Sequence, residues 1–431
     1  MGCYSNEEIV MEKDLNAPLN GKKAVVFTLG CKVNSCESAS LITGLKTLGY
    51  AVSDELSYAD LYIINTCAVT AEAEKKSRQT VARVKKFNPN AQIIVTGCAS
   101  QKSPDDFLKK QGVTLVTGTN SKDKIIKAIN ERGNIVWEET EYYEEFMPEN
   151  PDKTRAYIKV QDGCNNFCSY CIIPYLRGRS RSRNPQKVVE EIERLSPVEA
   201  VITGINLSAY NYQGIGLKGL IDRLSVANCR IRLGSLEVGV ITEEFLTALK
   251  NLKDFAPHFH LSLQSGSTAV LKSMNRKYTR EEYLEKCMLI KKHFPSSAIT
   301  TDVIVGYSTE SEEDFADTVA LCKTVGFADV HCFPYSKREG TVGAKLKELP
   351  SAVKDERMNV MLALKKELKD NFINENLGKE FWVIPEDRQG NFTVGYTENY
   401  IKTYLVGTIE DKKVKVVLKE PFEDGAIAEI L

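Results

Sequence analysis

The chain has 431 residues, with Lys+Arg 57 balanced against Asp+Glu 58, a formal net charge of −1 and a hydrophobic share of 42%. At about 150 residues per domain this allows two or three domains with their own cores, and the composition excludes collagenous, disordered and strongly basic chains. No apolar run approaches the roughly 18 residues that cross a bilayer, and the acidic start MGCYSNEEIVMEKD lacks the apolar core of a secretion signal. A cytosolic protein without a membrane partner is therefore expected.

Residues 23–29, 60–66, 92–97 and 113–118 read as apolar strands, separated by helix-length stretches that include 36–48 and 71–86. That alternation predicts an α/β, doubly wound parallel sheet over residues 1–137. Residues 138–152 (EETEYYEEFMPENPD) are acidic and aperiodic, and read as a linker. Six further strand candidates follow, at 156–161, 200–204, 230–233, 258–263, 298–305 and 328–334, with helical stretches such as 185–195 and 279–293 between them. Six β-α units within 153–374 suit an open partial (β/α)6 barrel, short of the eight that close. A helical stretch at 354–374 leads into 375–431, where FWVIP, FTVGY, YLVGTI and VKVVL alternate with turn signals and predict a small β-barrel.

Twelve cysteines in a reducing compartment cannot form a disulfide framework, so their spacing has to sort them. Cys164, Cys168 and Cys171 form Cys-x3-Cys-x2-Cys in DGCNNFCSYC, directly after the strand YIKVQ. Closely spaced thiolates of this kind hold iron–sulfur clusters, and three ligands to a four-iron cluster leave one iron open. The rival readings are a zinc knuckle that borrows a remote cysteine, or buried thiols. Cys31, Cys67 and Cys98 are far apart in sequence, but each ends an apolar strand: FTLGC, IINTC and VTGC. If those strands are parallel, all three reach the carboxyl edge where open α/β sheets bind ligands, which points to a second three-cysteine cluster site. The alternative is three ordinary buried cysteines. Cys3, Cys36, Cys229, Cys287, Cys322 and Cys332 lack cluster spacing and read as core or incidental, with Cys36 the nearest to a site.

With both sets assigned, the sequence resembles the radical S-adenosylmethionine (SAM) methylthiotransferases over nearly its whole length. DGCNNFCSYCIIPYLRGRSRSR is similar to the core signature, and TLGCKVN, INTCAVT and VTGC are similar to the N-terminal cysteine motifs. TLGCKVN, PYLRGRSRSR and HCFPYSKREGT lean towards the branch that modifies N6-threonylcarbamoyladenosine (t6A) in tRNA. The resemblance implies two [4Fe–4S] clusters, one on Cys164, Cys168 and Cys171 and the other on Cys31, Cys67 and Cys98. It also implies SAM chelated to the open iron of the first, and a C-terminal TRAM domain that binds RNA. It suggests SAM contacts at Tyr170, at Thr203, Gly204 and Asn206, at Arg232, Ser235 and Glu237, at Gln264, and at Val303, Ile304 and Gly306. TDVIVG is followed here by YSTES, which departs from the family's usual phrase, with Glu310 expected to keep its role.

The implied target is C2 of an adenine, a C–H that no side-chain base removes at neutral pH, so cofactor-borne radical chemistry is required. An electron donor such as a flavodoxin or ferredoxin is implied, and the sulfur donor is not named by the sequence. A near-neutral chain must contact RNA through local patches. Arg177, Arg179, Arg181 and Arg183 form one acid-free run beside the core cysteines, whose bland reading is a solvated face or pairing with carboxylates inside the protein. Lys412, Lys413 and Lys415, near Tyr396, Tyr400 and Tyr404, form another patch suited to stacking plus charge. The rival substrates are isopentenyladenosine in tRNA and a ribosomal-protein aspartate, and the rival class is a non-catalytic metal-containing RNA-binding protein.

Overall fold

The computed structural model describes residues 21–120, 122–136, 143, 145, 148 and 154–431, so Cys3 and most of the expected linker lie outside the described residues. The N-terminal strands are β1 (Lys23–Thr28), β2 (Ala51–Ser53), β3 (Leu61–Thr66), β4 (Gln92–Gly97), β5 (Val113–Thr117) and β6 (Gly133–Ile135). All pair in parallel, in the order β2-β1-β3-β4-β5-β6. β3 is buried at every position because helices cover both faces of the sheet. Helix α1 (Lys32–Thr47) packs Leu41 and Leu45 against Ala24, Val26 and Ile63. Helix α2 (Ala71–Val84) packs Val81 and Val84 against Tyr62, Ile64 and Val95 on the other face. The short edge strands β2 and β6 are absent from the sequence reading, since three residues carry no readable period. Helix α3 (Cys98–Lys102) continues directly from β4.

The central region carries six parallel strands, β7 (Arg155–Asp162), β9 (Glu199–Gly204), β10 (Arg230–Leu233), β11 (His258–His260), β12 (Ala298–Val305) and β13 (Asp329–Pro334). Helix α4 (Ile173–Arg177) follows the loop after β7, and the two-residue strand β8 (Arg181–Ser182) pairs antiparallel with β7. Hydrogen bonding runs β10-β9-β7-β8 and β11-β12-β13, while the bridges Ile231↔Phe255, Leu236↔Leu261 and Gln264↔Val303 carry the curvature between the two sets. The result is an open partial barrel. Ile158, Val160, Ile202, Ile231 and Leu233 pack towards the covering helices. The alternate positions are polar and contact one another across the lumen: Glu199 receives Arg155 at 2.7 Å and Arg232 at 2.8 Å, and His260 meets Asp302 at 3.1 Å.

The N-terminal domain closes the barrel's open side. From α1, the Cys36 thiol donates to the Tyr157 carbonyl at 3.2 Å, and Glu37 accepts from Lys159 at 2.9 Å. From α2, Glu74 accepts from Arg338 at 2.5 Å, and the Ala71 amide donates to the Ser336 hydroxyl. The long helix α5 (Ser351–Asn376) packs Met361, Leu364 and Leu368 on the barrel core and Ile373 in the next core. Beyond it, β14 (Glu380–Gln389), β15 (Phe392–Thr397), β16 (Lys402–Val406), β17 (Val414–Phe422) and β18 (Gly425–Ile430) close a small barrel in the order β14-β15-β16-β18-β17. The four strand phrases in the sequence account for β14 to β17, and β18 completes the closure. This barrel sits under the starts of the central strands, where Arg155 pairs with Glu386 and Lys413 with Asp254, each at 2.5 Å.

Burial alone would raise the Glu74 carboxyl, but hydrogen bonds from Arg338, Lys102 and Arg78 bring it down to about 2. Its contribution is present above the ordinary glutamate range and is lost as pH falls from about 4.5 towards 2. In thermal unfolding of the metal-free chain, the midpoint should fall over that window, and Glu74→Gln should lose less than wild type across it.

Candidate metal centres and the network between them

The loop after β7 carries Cys164, Cys168 and Cys171. The Asn166 amide donates to Cys164 Sγ at 3.4 Å, Asn206 Nδ2 approaches the same sulfur at 3.7 Å, and Arg276 Nη1 donates to Cys168 Sγ at 3.5 Å. Donors aimed at sulfur favour thiolate, the form that binds metal. Without a metal, burial pushes Cys171 up to about 12 and also raises Cys164. A cleft of about 280 Å³ opens beside the loop, lined by Asn166, Cys168, Glu237, Arg276 and Tyr278 among others.

Cys31, Cys67 and Cys98 follow β1, β3 and β4, three adjacent parallel strands, so their carboxyl ends meet at one edge. The contact is close: a Cβ on Gly30 would stand 2.9 Å from Cys67 Sγ. Gly97, at φ +103°, makes the turn into Cys98 where a Cβ would meet the Thr66 carbonyl at 2.4 Å. This explains the repeated Gly-Cys phrase. Burial pushes Cys67 up to about 11 and raises Cys98. Among the described residues, no three His, Cys, Asp or Glu groups converge to hold a single ion.

A buried polar network joins the two sites. Arg177, at the end of α4 and fully buried, donates to Glu37 at 2.9 Å, to Asp162 at 3.1 Å and to Asn34 Oδ1 at 2.7 Å. Asn34 Oδ1 also receives the Cys31 thiol, and Asn34 Nδ2 donates to the Leu29 and Thr66 carbonyls at the ends of β1 and β3. Asp162 Oδ1 accepts from the Gly163 amide at 2.7 Å, one residue before Cys164. Lys122 and Lys159 complete the charges around Glu37. Burial would push the Glu37 carboxyl up, but Arg177, Lys122 and Lys159 hold it well below the usual carboxylate range. Glu37, Asp162 and Asn34 escape the sequence reading, because nothing local marks a residue whose partner is 140 positions away.

The expected basic run is therefore corrected. Arg177, Arg181 and Arg183 are buried: Arg181 donates to the Arg177 carbonyl and lies 3.7 Å from Asp162, and Arg183 pairs with Glu145 and Glu191. Arg179 alone of the four is exposed, its guanidinium 4.8 Å over the Phe167 ring. Arg232 is also corrected: it is committed to Glu199 and to the carbonyls of Glu398 and Thr397 beneath the barrel, away from any SAM contact. In the C-terminal barrel, Lys413 pairs with Asp254 and Lys415 with Glu380, so that of the three expected lysines only Lys412 is exposed with no ion pair among the described residues. Tyr404 is buried rather than offered for stacking.

Other expected residues do gather at the cysteine loop. Glu237 accepts from Asn166 at 2.8 Å and pairs with Arg276 at 2.9 Å. A Cβ on Gly204 would come within 2.9 Å of Gln161, whose Oε1 accepts from the Asn206 amide. Tyr170 and Ile304 each pack against the small cluster of Val270, Met274, Tyr307 and Tyr335, whereas Val303 turns into the barrel core. Gln264 adopts φ +70° and is bridged to Val303, a strained backbone at the strand end. Thr203 is buried and Ser235 exposed. The Gly306 amide donates to Glu310 Oε1 at 2.9 Å, and Arg357 clamps Glu310 at 2.5 Å, so YSTES keeps the carboxylate's turn-closing role. Cys36 is buried against β7, and Cys229, Cys287 and Cys322 lie in the barrel core.

Residues 23–118 match the family described as "Uncharacterized protein family UPF0004", and residues 158–322 match the radical SAM superfamily. The chain is 38% identical to the threonylcarbamoyladenosine tRNA methylthiotransferase MtaB of Bacillus subtilis, over 94% of this chain and 96% of that protein. It belongs to the radical SAM methylthiotransferases. This family works with SAM and [4Fe–4S] clusters, and the donor sets described above fit that chemistry. The chain is also 34% identical to the tRNA-2-methylthio-N(6)-dimethylallyladenosine synthase of Clostridium novyi, over 89% of this chain and 90% of that one. The structure of the radical S-adenosylmethionine methyltransferase TsrM from Kitasatospora setae matches with a TM-score of 0.55 over 72% of each chain at 14% identity, a likeness of fold alone. No helix among the described residues is long and apolar enough to cross a membrane.

For a methylthiotransferase with this network, Arg177→Leu should lower unfolding free energy by about 3–5 kcal/mol, the usual effect of breaking a buried ion pair. Arg177→Lys should recover only part, because an ammonium cannot fork to Glu37, Asp162 and Asn34 together. Denaturant titration and iron content per chain measure both effects.

Proposed function

We propose that this methylthiotransferase adds a methylthio group at C2 of t6A 3′ of the anticodon in tRNA, giving its 2-methylthio derivative. The observation that supports the reading is the Arg177 network, which bonds to Asn34 and Glu37 on the Cys31 side and to Asp162 beside the Cys164 loop. Cys164, Cys168 and Cys171 would hold the cluster that binds SAM; Cys31, Cys67 and Cys98 would hold the second. When bound, these groups supply radical chemistry able to act on an unactivated C–H, together with the sulfur and methyl to be delivered. The chain's own part is ligation, orientation and exclusion of water. Asn166, Asn206 and Arg276 orient the sulfurs, and Tyr170 with Ile304 offers an apolar wall for adenine.

The preference for t6A over isopentenyladenosine rests on the TLGCKVN phrase and on the higher identity to enzymes named for t6A, 38% against 34%. The C-terminal barrel is read as an RNA-binding TRAM domain, with exposed Lys412 and Tyr400 as contacts, and exposed Arg179 as a separate contact beside the cysteine loop. The electron donor would be a flavodoxin or ferredoxin.

Cys168→Ala should abolish 5′-deoxyadenosine formation from SAM in the reduced, reconstituted enzyme. Cys67→Ala should retain that cleavage yet insert no sulfur; sulfur insertion by both variants rules the ligand assignment out. Mass spectrometry of tRNA nucleosides from a deletion strain should show the 2-methylthio derivative of t6A missing and that of isopentenyladenosine intact. The reverse pattern rejects the substrate. Lys412→Ala should weaken tRNA binding and reduce its salt dependence by about one counterion.

A further inference from the structure

His331 opens the phrase HCFPYSKREGT, and neither ligation nor the core uses it. Its neighbours Val330 and Cys332 pack on the barrel core, the Cys332 thiol 3.9 Å from the Met361 carbonyl of α5. Strand alternation therefore turns Asp329, His331 and Phe333 to the opposite side, the lumen. β12 agrees: Val303 and Val305 enter the core, while Asp302 and Ile304 stand in register with His331 and Phe333. On β11, Phe259 is a core residue and His260 faces inwards, its ring 5.7 Å from that of His331. His260, Asp302 and His331 thus form one layer across three strands. Ile304 and Phe333 form the next, nearer the carboxyl ends.

A chain of hydrogen bonds holds this layer. His260 Nε2 donates to Asp302 Oδ2 at 3.1 Å, the Thr300 hydroxyl donates to His260 Nδ1 at 3.0 Å, and His258 Nε2 donates to that hydroxyl at 3.0 Å. The chain fixes the Asp302 carboxylate but uses one of its oxygens, and the side chain stays 28% exposed. His331 is exposed too, and its ring makes no hydrogen bond among the described residues. A fixed acceptor and an unspent N–H donor therefore stand side by side on the lumen wall. Phe333, 43% exposed, lies two residues further along the same face, about 7 Å away at the rise of a strand.

We propose that His331 is a specificity residue that donates a hydrogen bond to the carbonyl oxygen of the N6-threonylcarbamoyl group, beside Asp302, which accepts from that group's N–H or hydroxyl. This deepens the substrate reading above and rests on it. Phe333 offers its face to the adenine, and the N6 substituent reaches one layer down to His331. Asp302 is an anion, so the ledge fits the ureido and hydroxyl groups of the tail rather than its carboxylate. An isopentenyl tail has no polar atom for either residue and covers both without pairing them, which is how a polar site rejects an apolar ligand.

The test is binding of anticodon stem-loops carrying t6A, isopentenyladenosine or unmodified adenosine to the reconstituted full-length enzyme, followed by fluorescence anisotropy. The wild type should prefer the t6A loop to the unmodified one by about tenfold. His331→Leu should lose most of that preference while binding the unmodified loop as wild type does and keeping wild-type iron content. His331→Gln, whose amide still donates, should restore part of the preference, and the isopentenyl loop should gain on the t6A loop only in His331→Leu. A His331→Leu protein that discriminates as wild type does, or that loses iron or unmodified-loop binding, overturns the role of His331 while leaving the t6A reading in place. A wild-type enzyme that converts isopentenyladenosine stem-loops and not t6A ones overturns the substrate reading itself.

Discussion

Everything about the two candidate metal centres depends on a buried ionic junction. Glu37 and Asp162 face Arg177, Lys159, Lys122 and Arg181 with almost no solvent between them. Removing that many charges from water is expensive, and apolar side chains of similar volume would often be at least as stable. The network is better understood as fixing one geometry. Arg177 can donate to Glu37, Asp162 and Asn34 together only when α1, β7 and α4 stand in one relation. The same relation sets the Cys31 and Cys164 loops with respect to each other, through Asn34 on one side and Gly163 on the other.

The cysteine positions were legible because local sequence determines them. An apolar strand ending directly before a Cys states both the direction of the strand and the place of the thiol, and parallel pairing brings the ends together. The same logic extends to Tyr170, Glu237 and Asn206, which lie at strand ends or on the cysteine loop. It fails for Arg232, which sits in mid-strand, where the pleat rather than the strand end decides what the side chain meets.

Charge was the least legible property. PYLRGRSRSR looks like a surface for phosphates, yet three of its four arginines find carboxylates from α1, β7, the expected linker or the helix over Pro185–Leu195. Lys413 and Lys415 are likewise spent on Asp254 and Glu380. A basic residue's partner is chosen by the fold, often across more than a hundred positions, so a charge run alone cannot distinguish an RNA surface from an internal clamp. Short edge strands were missed for a related reason: β2 and β6 form because a sheet is already present beside them.

The order of the junction along the chain bears on how the protein is made on the ribosome. Glu37 and Lys122 emerge early, whereas Lys159, Asp162 and Arg177 belong to the following domain. A nascent N-terminal sheet released before β7 and α4 exist would carry all three of its cysteines and Lys122, but lack Lys159 and Arg177, two of the three cations that balance Glu37, Arg177 being also the guanidinium beside Cys98. Maturation of the first-translated thiol trio is therefore tied to synthesis of the barrel behind it.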